Sequence, residues 1–162
     1  MYGENCSVIP LTTHINLKDV FRDLSKYKIN KKLNNVMNLI KLEMYNLNFK
    51  NIIFLCYNPH CSESGTIGSE DIKIKKLIKK NYKSILGPYP ADSAFTNYNE
   101  NSLYISTYHD QVLIPYKIIN SRGYNLTLGL SYRRLSPAHG TAKDIMFKKK
   151  SNNTSYLACM LS

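Results

Sequence analysis

Acidic residues are scarce in this chain of 162 residues. Eleven Asp and Glu stand against 22 Lys and Arg, a formal net charge of +11. Such an excess of cations first points to an anionic partner, but no nucleic-acid-binding motif accompanies it. The Lys-rich piece Lys73–Lys80 carries Ile74, Leu77 and Ile78 at helical spacing. It reads as a solvated helix face rather than a nucleic-acid stripe, so phosphorylated small molecules are the expected anionic partners and nucleic acid is not. None of the four cysteines (Cys6, Cys56, Cys61, Cys159) belongs to a C-x-x-C pair, and reduced structural thiols are expected. No apolar run approaches membrane-spanning length. The opening Met1-Tyr-Gly-Glu-Asn-Cys6 lacks the basic-then-apolar order of a signal peptide. These absences lead to the expectation of a soluble, cytoplasmic protein with no membrane partner. There is no internal repeat, no low-complexity segment beyond Lys148–Lys150, and no G-x-G-x-x-G to support a Rossmann fingerprint. The length suffices for one domain with a real core.

What is present alternates between helical and strand-like patterns. Asn16 or Thr13 is placed to cap a helix carrying Val20, Phe21 and Leu24, and Leu33, Val36, Met37, Ile40 and Met44 predict a second helix between Lys31 and Asn46. Asn51-Ile-Ile-Phe-Leu-Cys-Tyr57 is a continuous apolar run, as in strands buried on both faces. The loop 58–68 follows, then the Lys-rich helix to about Asn81. Gly87–Asp92, with two prolines, reads as a turn. A short strand at 103–107 leads into His109-Asp-Gln111, read as a strand-end turn that presents Lys117 just past Pro115. Gly123–Leu130 gives a further strand, and a last helix is expected from about Thr141. Strands alternating with helices predict an α/β fold.

Histidines are few: His14, His60, His109 and His139, each at an element end or in a loop. Their wide separation excludes a local metal motif such as H-E-x-x-H. The first three flank strand-like runs, the arrangement that lets loops converge on one edge of a sheet. Spacing alone leaves open whether they share a site.

Several motifs occur in order: Thr12-Thr-His14-Ile-Asn-Leu17; Asn58-Pro-His60 with Glu63 and Gly65; Gly87-Pro-Tyr-Pro-Ala-Asp92; Tyr108-His-Asp-Gln111; Lys117; Gly123–Leu130; Arg134; and His139-Gly-Thr-Ala142. From about residue 10 to 155 this series resembles the 4-hydroxythreonine-4-phosphate dehydrogenase family of vitamin B6 biosynthesis. It matches the carboxyl-terminal half of a typical member. The resemblance implies a partial fold of the isocitrate/isopropylmalate dehydrogenase type. Residues 1–116 would form the central metal-binding and dimerisation portion, and 117–162 the segment returning to an amino-terminal domain, which the chain lacks.

The resemblance also implies roles for residues. His14, His60 and His109 match the three ligands of a divalent metal (zinc, magnesium or cobalt), one of them supplied by the neighbouring subunit of a homodimer whose active site lies at the interface. Lys117, Asn125 and Arg134 match substrate-binding positions, which suits a phosphate, a carboxylate and an amino-acid portion. Asp92 and Asp110 match acidic residues near the site, where they would orient a ligand histidine or Lys117. His139, Gly140, Thr141, Ala142 and Asp144 look similar to a loop that binds the adenosine part of NAD or NADP. The same residues could instead cap the last helix.

The implied reaction is oxidation of 4-phosphooxy-L-threonine by NAD(P)+ with loss of carbon dioxide, giving 3-amino-2-oxopropyl phosphate. The metal would act as Lewis acid and Lys117 would assist proton movement. Val112 stands where the family has Gly, Ala138 where it has Asp, Cys61-Ser-Glu-Ser-Gly65 where it favours small residues, and Met146-Phe147 where it has small ones. Two alternatives therefore stay open: a catalytically inactive remnant of that enzyme, and a relative acting on a phosphorylated threonate. Loss of the amino-terminal domain is further expected to leave Leu126, Leu128, Leu130 and Ile145 uncovered.

Overall fold

A computed structural model describes residues 1–140, 143–148 and 150–162, with the backbone alone at Lys26 and Asp144. The chain begins with strands β1 (Tyr2–Gly3) and β2 (Cys6–Pro10). The Asn16 side chain then accepts from the Lys18 N–H at 3.2 Å and caps a single helical turn ahead of α1 (Val20–Asp23). Helix α2 (Lys26–Leu39) leads to β3 (Asn51–Leu55). Next come α3 (Glu70–Asn81), β4 (Ile85–Tyr89), α4 (Ala91–Thr96), β5 (Ser102–Ser106) and α5 (His109–Ile119). The remainder holds β6 (Gly123–Thr127), β7 (Arg134–Pro137), a helical turn at Lys143–Ile145 and α6 (Thr154–Met160).

Four strands make a parallel sheet in the order β2-β5-β3-β4, the α/β architecture expected from the alternating pattern. Alternate side chains of the two inner strands point to opposite faces. Phe54, Leu103 and Ile105 meet Val20, Leu24, Leu33, Ile74, Leu77 and Ile78 on one side. Ile53, Leu55 and Tyr104 meet Val112, Leu113 and Tyr116 of α5 on the other. Burial on both faces is why 52–56 and 103–105 read as unbroken apolar runs.

A second, antiparallel sheet, β1-β6-β7, joins the two ends of the chain, with Tyr2 opposite Tyr124 and Leu126 opposite Leu135. The Asn120 side-chain oxygen accepts from the N–H groups of Asn5 (2.9 Å) and Cys6 (3.3 Å), and the Tyr116 hydroxyl donates to the Tyr2 carbonyl at 2.6 Å. Burial pushes the Tyr116 phenol well above its usual range, so it stays a neutral donor there. Leu126, Leu128, Leu130 and Ile145 are half-buried rather than uncovered, and Leu128 packs against the larger core cluster.

Several expected boundaries change. Helix α2 starts five residues before Lys31 and ends at Leu39, with Met44 in a separate short turn, Glu43–Tyr45. The proline-rich stretch read as a turn is split between two elements: Gly87–Tyr89 ends strand β4, and Ala91 and Asp92 open α4. The strand lies at the sheet edge, where a residue without an N–H is tolerated. The stretch after His109 is a helix that runs through Pro115, not a turn. Strand β7 has no counterpart in the sequence reading, and the last helix, α6, begins at Thr154 rather than near Thr141. Thr141, where the last helix was expected to begin, lies outside the described residues.

Gly87 is indispensable to this edge. Its φ is +102°, and a Cβ would lie 2.6 Å from the Phe54 carbonyl oxygen and 2.9 Å from the Tyr89 nitrogen. Gly87→Ala is expected to cost about 2 kcal/mol, a fall in Tm of roughly 4–8 °C by circular dichroism. An unchanged melt would show that β4 has room to shift.

Candidate active site

The four parallel strands release their loops at one edge, where open α/β sheets gather ligands. The order β2-β5-β3-β4 sets out His14, His109, His60 and Asp92 in that same sequence along the edge. The first two loops are tied directly. Leu11 N–H donates to the Ser106 carbonyl at 2.8 Å, and Thr12 gives both its N–H (3.2 Å) and its hydroxyl (2.7 Å) to the Thr107 carbonyl. The ladder thus continues past the formal strand ends. It brings the rings of His14 and His109 together with centroids 5.6 Å apart.

His109 opens α5, and its Nδ1 lies 2.7 Å from an Asp110 carboxylate oxygen. When Nδ1 donates its proton toward that carboxylate, Nε2 is left with a free lone pair that can accept a hydrogen bond or ligate a cation. Gln111, two residues on, joins neighbouring strand ends: its amide donates to the Cys56 carbonyl at 2.6 Å and its oxygen accepts from the Thr107 N–H at 3.3 Å. His60 is held between two carboxylates, Nδ1 3.1 Å from Glu63 and Nε2 3.7 Å from Asp92. Both contacts are largely exposed, so they orient the ring more than they stabilise the fold.

Two adjoining cavities result. One of about 300 Å³ is bordered by His14, His109, Asp110 and Tyr108. The other, about 310 Å³, is bordered by His60, Asp92, Gln111 and Tyr108. Tyr108 stands between them. Among the described residues, no group of three or more His, Cys, Asp or Glu converges closely enough in one chain to hold a metal ion. One chain pairs two of the three histidines and keeps the third next door.

The residues matched to substrate and cofactor lie elsewhere. Lys117 is exposed in the last turn of α5, eight residues beyond His109, or about 12 Å along the helix axis at 1.5 Å per residue. It borders a separate cavity of about 200 Å³ with His139, Asn120, Asn152 and Ser155. Asn125 is exposed on β6 opposite Ser136, and Arg134 on β7 donates to the Thr127 hydroxyl at 3.1 Å. Gly140 has open space where a Cβ would be, and His139 Nδ1 lies 3.2 Å from its carbonyl. Asp144 lies in the 143–145 turn with its side chain undescribed, and Thr141 and Ala142 fall outside the described residues.

One residue escaped the sequence reading altogether. Asp71, 2 % exposed, accepts from the N–H groups of Tyr57 (2.6 Å) and Asn58 (3.0 Å) and from the Ser62 hydroxyl (2.7 Å). The Asn58 amide in turn donates to Ser62 and Glu70, each at 3.0 Å. This network carries the loop that presents His60. Its signal was visible in the spacing, because Asp71, Ile74 and Ile78 share one helix face and the rest of that face is core.

Comparison with known proteins gives the family of the chain. Residues 1–161 match the family described as pyridoxal phosphate biosynthetic protein PdxA. The chain is 41% identical over 165 residues to the 4-hydroxythreonine-4-phosphate dehydrogenase of Aquifex aeolicus, covering 97% of this chain and 50% of the relative. Against the enzyme of the same name from Hydrogenobaculum the figures are 37% over 149 residues, 91% and 47%. The crystal structure of a 4-hydroxythreonine-4-phosphate dehydrogenase from Klebsiella pneumoniae superposes with a TM-score of 0.76 at 27% identity, covering 99% of this chain and 50% of the other. The chain spans about half the length of the curated relatives it matches. Among the described residues, no helix is long and apolar enough to cross a membrane.

Proposed function

Because the chain belongs to the PdxA family of pyridoxal phosphate biosynthetic proteins, we propose that it serves the NAD(P)-dependent oxidation and decarboxylation of 4-phosphooxy-L-threonine to 3-amino-2-oxopropyl phosphate. The observation that carries this reading is the set of histidine loops on one sheet edge, with His14 and His109 already paired. Their chemistry fits a divalent ion. Imidazole nitrogens suit zinc or cobalt, whereas magnesium favours oxygen ligands. His14, His60 and His109 would hold the ion, which supplies Lewis acidity toward the secondary hydroxyl of the substrate.

The chain's own residues do the rest. Asp110 keeps the His109 ring turned so that Nε2 faces the ligand; Glu63 holds His60 by Nδ1 in the same way, with Asp92 beside its Nε2 helping to orient the ring. Arg134 and Lys117 answer the phosphate and carboxylate, and Asn125 the amino-acid portion. Lys117 also holds or releases the proton that moves at the substrate oxygen. The loop of His139, Gly140, Thr141, Ala142 and Asp144 accepts the dinucleotide, with Gly140 allowing close backbone approach. The separation of Lys117 from His109 along α5 supports a homodimer in which one copy's loops complete the other's site.

The test is NADH or NADPH formation from 4-phosphooxy-L-threonine with zinc or cobalt, alongside metal content by atomic absorption. His14→Ala and His109→Ala should each abolish bound metal and turnover, and a chelator should do the same. Lys117→Ala should lose at least ~100-fold in turnover, as expected for an acid–base group, while keeping its metal. Equal loss of both in Lys117→Ala would remove that role. Stoichiometric metal without turnover would instead identify a metal-binding protein that has outlived the enzyme.

A further inference from the structure

Two cysteines flank the His60 loop. Cys56 follows β3 and is 1 % exposed; Cys61 lies five residues on and is partly exposed. Their Cα atoms are 5.0 Å apart and their sulfurs are bonded, contrary to the reduced thiols expected from the sequence. The bond closes a ring around Tyr57, Asn58, Pro59 and His60. Beyond it the backbone is unusual: His60, Cys61, Ser62, Glu63 and Ser64 all have φ between 43° and 63°. None is glycine, and left-handed helical backbone disfavours an L side chain by roughly 1–2 kcal/mol per residue. Such a turn persists only where it is held from outside. It is held here by the Cys56–Cys61 bond at its start and, at its centre, by the hydrogen bonds of Ser62 to Asp71 and from the Asn58 amide.

We propose that Cys56–Cys61 is an exchange site for low-molecular-weight thiols, and that its redox state sets the conformation of the turn presenting His60. The unequal burial fixes the direction of attack. An external thiolate reaches the Cys61 sulfur; a new S–S bond forms there as the Cys56–Cys61 bond breaks. The electron pair leaves on the Cys56 sulfur, which takes a proton from solvent. A second external thiol then attacks the external sulfur of that mixed disulfide and releases Cys61 as a thiol. Two external thiols are oxidised to one disulfide and the protein gains two thiols. With the ring open, only the hydrogen bonds of Ser62 with Asp71 and Asn58 hold the centre of the left-handed turn, and His60 leaves its place between Glu63 and Asp92. The proposal concerns the turn itself and stands whether or not His60 binds metal.

The experiment equilibrates the full chain in reduced/oxidised glutathione mixtures, alkylates it, and maps each cysteine by peptide mass spectrometry alongside hydrogen exchange. Cys6, whose thiol burial pushes up, should stay protected throughout, and partly exposed Cys159 should react throughout. Cys56 and Cys61 should become reactive together, at one glutathione ratio. Exchange across 57–65 should rise at least ~10-fold on reduction, a local opening without global unfolding. In Cys56→Ser, glutathione should be trapped on Cys61, whereas in Cys61→Ser Cys56 should remain unmodified. Wild-type mapping decides the matter even if either variant folds poorly. Thiols reactive at every ratio, glutathione on Cys56, or unchanged exchange across the loop would each overturn the proposal.

Discussion

Asp71→Ala is expected to lower stability by about 3–5 kcal/mol, because it strands three donors in a site closed to water. The carboxylate has two oxygens and uses both: one takes the Tyr57 N–H, the other the Asn58 N–H and the Ser62 hydroxyl. An amide supplies one accepting oxygen and places an NH2 where the second stood. Asp71→Asn should therefore fall between wild type and Asp71→Ala. Chemical denaturation gives the ranking, and hydrogen exchange shows where the loss acts: residues 57–62 should lose protection before the sheet does. Equal stability of all three proteins would mean that water enters and replaces the carboxylate.

Phe54→Ala should cost a similar amount by a different route. Its ring is fully buried on the central strand β3, in the cluster that includes Leu77, Leu103 and Ile105. Truncating a buried Phe removes its transfer free energy and leaves a cavity, together about 3–5 kcal/mol. Against a total of roughly 5–15 kcal/mol for a typical domain, that approaches global unfolding. The two variants are separable. Phe54→Ala should raise exchange throughout the parallel sheet and leave the geometry of the His60 loop unchanged in the molecules still folded. A selective loss of protection at 57–62 in Phe54→Ala would contradict this division of labour.

The inner strands were legible because each stacks apolar residues on both faces, and α3 because Ile74, Leu77 and Ile78 keep helical spacing. What escaped was decided by position in the fold. Gly87-Pro-Tyr-Pro90 looks like a turn by composition, yet a sheet edge accepts a residue without an N–H. Pro115 argued for a break, but Val112, Leu113 and Tyr116 bury one face of α5, and that burial outweighs a proline penalty of about 3 kcal/mol. The site divided in the same way. His14, His60 and His109 stood out only through their motifs, since no periodicity reports that loops 46 and 49 residues apart meet at one edge. Asp71 was hidden beside Glu70, where two acids at a helix start resemble ordinary dipole partners. The pairing of Cys56 with Cys61 accompanies a left-handed turn that neither residue's spacing announces.

The strand order carries a consequence for synthesis. Strand β2 is made well before its only partner in the parallel sheet, β5, with Cys6 opposite Ser102 and Pro10 opposite Ser106. At ribosomal rates of about 5–20 residues per second, β2 waits on the order of 5–20 s for that partner to be made. During this interval Val8, which packs against Tyr104 of β5 and Val112, Leu113 and Tyr116 of α5, lacks its cover. The nascent chain is therefore most open to association with other chains at the moment when β3 and β4 are already able to pair and β5 is still in the exit tunnel.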